Sequence, residues 1–131
     1  MRTALILAMM IVVSGCTQAP DPLEDCLKMQ NSFEKDGCIL KMSEKSTIID
    51  LCENIDSRTD GMLCQKNIAV NRRESTKCED IMDQTISAEC TTEVAVATGN
   101  YMLCKKIDRQ SKRTHCEYRV SSAKRKQRLE Q

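Results

Sequence analysis

The chain has 131 residues, with 20 Lys/Arg against 19 Asp/Glu and a formal net charge of +1. Such a length fits one domain once any targeting segment is set aside. No Trp, one Phe (Phe33) and two Tyr (Tyr101, Tyr118) exclude a strong apolar core, and nine cysteines stand against that shortage.

In chain order, residues 1–15 read as a targeting segment. Arg2 supplies a positive start, and Ala4 to Val13 is a ten-residue apolar run. That is shorter than the roughly 20 residues a transmembrane helix needs. Val13-Ser14-Gly15-Cys16 follows and resembles a bacterial lipobox. The resemblance implies that Cys16 takes a diacylglycerol on its thiol and, after cleavage, an acyl chain on its amine. One acyl chain holds a membrane marginally, whereas two or more anchor stably. Thr17, where Asp would favour the inner membrane of enteric-type bacteria, implies the outer membrane. Both prolines, Pro20 and Pro22, lie in the short tether. The expected division is therefore 1–15 signal, 16–22 lipidated N-terminus and tether, 23–127 helical domain of four repeats, and 128–131 basic tail end.

The remaining cysteines keep a rhythm. Cys26, Cys38, Cys52, Cys64, Cys78, Cys90, Cys104 and Cys116 are separated by alternating steps of 12 and 14, which defines four copies of a 26-residue unit. Three residues after each first cysteine stands Met29, Ile55, Ile81 or Ile107. Four residues after each second cysteine stands Met42, Ile68, Val94 or Val120, followed by Ser43, Ala69, Ala95 or Ser121. Spacings of three and four put a cysteine and an aliphatic side chain on one helical face. Each unit thus predicts two short helices of about eight to thirteen residues, marginal alone in water. Asp56, Asp83 and Asp108 are placed to cap the second helices, and Thr76 with Glu79 has the spacing of a capping box. Gly99-Asn100 predicts a helix stop. No strand signal occurs.

Small exported domains with a thin core are commonly stapled by disulfides. The favoured pairing is within units: Cys26–Cys38, Cys52–Cys64, Cys78–Cys90 and Cys104–Cys116. Each would close a loop worth roughly 3 kcal/mol in the chain-entropy account. The competing pattern joins units through Cys38–Cys52, Cys64–Cys78 and Cys90–Cys104. A further alternative places Cys38 and Cys52 on one long helix, since 14 residues return to nearly the same face. The fold class expected is all-α: a small solenoid-like array of four disulfide-stapled helical hairpins.

The run from Cys90 through Val94-Ala95 and Thr98-Gly99-Asn100 to Cys104 and Ile107-Asp108 resembles a loosely characterised group of cysteine-rich helical repeat proteins from archaea and bacteria. Unit 2 matches through Leu51-Cys52, Ile55-Asp56 and Ile68-Ala69. Unit 1 departs, with Asp25 in place of the leucine, as terminal units of arrays often do. The resemblance implies a fold and carries no activity.

Chemistry is sparse. The one histidine, His115, adjoins a repeat cysteine. No metalloprotease, phosphate-loop or nucleophile-elbow motif is present. Zinc sites carry cysteines two to four residues apart and redox sites a Cys-x-x-Cys pair, whereas the closest pair here is 12 apart. We expect no enzyme, no metal and no cofactor. Charge is uneven: residues 102–131 hold ten Lys/Arg against three Asp/Glu. The densest run, Lys124, Arg125, Lys126 and Arg128, is a candidate surface for a polyanion or a protein partner. No aromatics interleave it, so nucleic acid is not expected. Two functions fit. The first is a non-catalytic, lipid-anchored envelope protein that serves a secretion, pilus, conjugation or exclusion machine by binding a protein partner. The second is an envelope-polyanion binder, or an inhibitor of a secreted hydrolase, acting through the basic last unit.

Overall fold

Short and long helices alternate along residues 21–130, the part of the chain that this computed structural model describes. The short elements are α1 (Pro22–Leu27), the 3-10 helix η1 (Ile49–Asn54), α4 (Ser75–Glu79) and the 3-10 helix η2 (Tyr101–Lys106). Each carries the first cysteine of its unit. The long helices are α2 (Ser32–Ser43), α3 (Arg58–Arg72), α5 (Gln84–Thr98) and α6 (Gln110–Leu129), each carrying the second. The described residues are all helix and turn, as the cysteine rhythm predicts.

The two halves of a unit are less equal than expected. The short elements have five or six residues, and the long ones 12 to 20. A helix of one turn does not persist by its own hydrogen bonds. Here a covalent bond holds it instead. Cys26–Cys38, Cys52–Cys64, Cys78–Cys90 and Cys104–Cys116 are disulfides, each pinning a short element to the long helix after it. The pairing joins halves of one unit, not neighbouring units. The single long helix through Cys38 and Cys52 does not form, because α2 ends at Ser43 and η1 opens at Ile49.

Long helices stack in chain order, α2 on α3, α3 on α5 and α5 on α6. The repeat explains the contacts. Ile68, Val94 and Val120 turn toward the staples and are buried, while the small residue that follows each lets the next unit approach closely. Ala69 packs among Cys78, Ile81, Cys90 and Val94 of unit 3. Ala95 packs among Cys104, Ile107, Cys116 and Val120 of unit 4. Ser43 meets unit 2 by a hydrogen bond, Asn67 Nδ2 donating to its hydroxyl at 2.9 Å.

Both ends of the array differ from its middle. Ser121 occupies the same repeat position as Ser43, Ala69 and Ala95 and is exposed. At the front, Cys38 and Met42 are only half-buried, while their counterparts in units 2 to 4 are buried. Met29 is 39% exposed, whereas Ile81 and Ile107 are 4% and 5%. The Cys26 sulfur rests 3.4 Å from the Met42 thioether there.

Caps follow the repeat with one shift in phase. The residues before the long helices are Asn31, Ser57, Asp83 and Arg109, 26 apart. Asn31 and Asp83 accept from backbone amides two or three residues on, and Ser57 accepts from Asp60 N–H. Asp83 is therefore a cap as expected, but Asp56 and Asp108 are not. Each lies one residue too early in its unit. Thr76 and Glu79 form no capping box: α4 opens at Ser75 behind Glu74, which places Thr76 inside the first turn. The cause is the end of α3. Arg73 adopts a left-handed conformation (φ 59°), and Glu74 N–H bonds back to Ala69 O at 2.9 Å, so the chain enters α4 at once. Gly99 (φ 64°) and Asn100 end α5 in the same way, as predicted.

The expected domain boundaries fall inside helices at both ends. α1 begins at Pro22, the last residue assigned to the tether, and α6 runs unbroken to Leu129 through the 127/128 boundary.

Candidate functional site

The eight repeat cysteines are spent on staples, and Cys16 lies outside the described residues. Next to Cys116, which is fully buried, His115 is exposed. Lys124, Arg125, Lys126 and Arg128 are all exposed on the last turns of α6. At about 100° per residue they point around the helix and share no single face. Lys126 reaches Glu130 at 3.9 Å across one turn. The basic run is thus a cationic end to the array and not a groove. Among the described residues, no cluster of His, Cys, Asp and Glu is arranged to hold a metal ion, and no helix is long and apolar enough to cross a membrane.

Neither a protein-family model, a curated protein nor a solved structure matches this chain.

The junctions between units bring polar side chains together. At the first junction Asp36, on α2, is buried. Its carboxylate accepts from the Asp56 amide at 3.1 Å and from the Ser57 amide at 2.8 Å, both in the turn that precedes α3. Lys35 lies alongside, 3.9 Å from Asp36 and 2.7 Å from Asp56. Burial raises the Asp36 pKa, but the Ser57 and Asp56 amides and the Lys35 ammonium outweigh it and hold the carboxyl below its ordinary value of 3.8. A carboxylate so placed caps the next unit from the outside. Asn71 then returns the favour, donating to the carbonyl of Ser43, the last residue of α2, and to that of Ser46 just beyond it.

Later junctions use ion pairs: Lys66 with Glu93 at 3.3 Å and Lys106 with Glu79 at 2.7 Å. The repeat position of Asp36 is Met62 in unit 2 and Ala88 in unit 3. Met62 packs against the core that Ala69 of unit 2 forms with Cys78, Ile81, Cys90 and Val94 of unit 3. Beside Ala88, between α5 and the turn into α6, a cavity of about 90 Å³ opens, lined by Thr91, Lys106, Asp108, Arg109 and Lys112 among others.

The sequence reading missed these junction residues. The cysteines and the aliphatic positions recur in every unit, whereas the residue two before each second cysteine does not. That position reads Asp36, Met62, Ala88 and Thr114 in the four units, so one unit buries a charge where another is small. A carboxylate that recurs only once in four units is the available signal.

Proposed function

We propose that this chain is a non-catalytic, lipid-anchored protein of the bacterial cell envelope that serves an envelope machine by binding a protein partner. The observation that supports the reading best is the use of all eight repeat cysteines as staples within units. Disulfides of that kind belong to oxidising compartments, where exported domains fold. The lipobox-like Val13 to Cys16 supplies the address, and Cys16 is the proposed acylated residue, most simply at the outer membrane. From Cys16 the chain reaches α1 within a few residues, so unit 1 stands near the lipid and unit 4 furthest from it along the chain. The far unit is also the cationic one. This order suits a short post that holds its partner-binding end away from the membrane.

The test uses the native acylated protein, extracted in mild detergent after chemical crosslinking in intact cells. The expected result is recovery of a defined envelope protein, lost when Cys16→Ser releases the chain from the membrane fraction. Recovery of a free monomer alone under several growth conditions overturns the reading. Retention of Cys16→Ser in the membrane fraction overturns the anchor.

A further inference from the structure

The junction between units 3 and 4 repeats the frame of the first junction without its carboxylate. Ala88 stands where Asp36 stands in unit 1, and Asp108 and Arg109 stand where Asp56 and Ser57 present their amides. Among the described residues, no protein oxygen accepts from the Asp108 or Arg109 amide. Arg109 also occupies the cap position that Asn31, Ser57 and Asp83 fill with oxygen acceptors, and it makes no cap bond. The start of the 20-residue helix α6 is therefore uncapped by any described residue.

Two further observations point to a ligand. Thr91 is 5% exposed and lines the cavity, yet its hydroxyl bonds to no described residue. Among the described residues no fully buried side-chain oxygen lacks a partner, so this hydroxyl keeps an opening, and Thr91 lines the cavity. The charge of the frame also changes sign. Asn54, Ser57 and Asp60 at the first junction become Lys106, Arg109 and Lys112 at the last. Lys106 is paired to Glu79. Arg109 and Lys112 enter no ion pair among the described residues, and the exposed Asp108 is the one acid in the lining.

We propose that the unit 3–unit 4 junction is a carboxylate-binding site, which takes an acidic side chain or a free C-terminal carboxylate of a partner peptide in the place Asp36 takes at the first junction. The Asp108 and Arg109 amides would hold its two oxygens, Thr91 would donate a third bond, and Arg109 and Lys112 supply the charge. The site holds whether or not Cys16 is acylated. It gives the proposed partner a chemistry, and its failure leaves the anchored-interaction reading standing.

The test is amide NMR on the ¹⁵N-labelled mature chain with its disulfides intact, at constant ionic strength. The probes are acetate, an acetylated triglycine with a free C-terminal carboxylate, and a Gly-Gly-Glu-Gly-Gly peptide blocked at both ends. Saturable shifts are expected at Asp108 and Arg109 and not at Asp56 and Ser57. The peptide that saturates first tells a terminal from a side-chain carboxylate. A88D supplies the carboxylate internally, so it should abolish the shifts and raise the Tm. Should that variant disturb packing, R109Q with K112Q carries the same decision, with affinity expected to fall about tenfold. Absence of saturable shifts with all three probes overturns the proposal, as does their persistence at full strength in A88D. Equal shifts with chloride mean an adventitious ion only, and also overturn it.

Discussion

At the scale of single residues, Asp36 shows how one carboxylate can organise a junction. It is buried, it accepts from two turn amides of the next unit, and Lys35 lies beside it. Its pKa is held below the ordinary carboxylate value in the folded chain. A group of this sign adds stability above the unfolded pKa and loses it as pH falls through the folded value. We therefore expect D36N to melt several degrees below the parent at pH 7. The gap should begin to narrow below about pH 4 and close in stronger acid. Thermal melts followed by circular dichroism across that range check it, and a gap that stays constant into acid would refute the assignment. The sequence marks Asp36 only by its failure to repeat, because a lone Asp two residues before a cysteine has no local meaning. Its role comes from amides 20 and 21 residues away.

At the scale of elements, helix ends separate what was legible from what was not. Gly99 was legible as a stop because glycine enters the left-handed region without a Cβ clash. Arg73, one repeat earlier, adopts the same conformation with no such signal in its side chain. The pair makes a matched prediction. G99A should cost about 1 kcal/mol, because a Cβ there is strained by φ, and it would sit 3.4 Å from Lys124 Cε. R73G should instead stabilise by about 0.5 kcal/mol, the relief of φ exceeding the added freedom of the unfolded chain. Denaturant midpoints at unchanged slope measure both, and a destabilised R73G contradicts the account. The misplaced caps have a similar lesson. Asp recurs at 56 and 108 and again at 83, so composition suggested one role, but only residue 83 lies in phase with the starts of the long helices.

At the scale of the whole molecule, the cysteine spacing alone was enough to expect the unit, its two halves and the staple between them. The cavity beside Ala88 was not legible, since it arises where unlike units meet. The front of the array is the exception among the staples. Cys38 is the one repeat cysteine that is not buried, because among the described residues no unit packs in front of it. Thiol attack needs access, so Cys26–Cys38 should be reduced first by dithiothreitol under native conditions. Mass spectrometry of quenched, alkylated samples reads the order, and earlier loss of Cys78–Cys90 would contradict it. The staples have a mechanical consequence as well. Every one spans 12 residues and none ties one unit to the next. Pulled between Cys26 and Cys116, the oxidised chain has slack only in its three connectors, and it stops lengthening near 170 Å, roughly half of the ~310 Å that the reduced chain allows. Its reach under load is set by oxidation, independently of whether the helices stay folded.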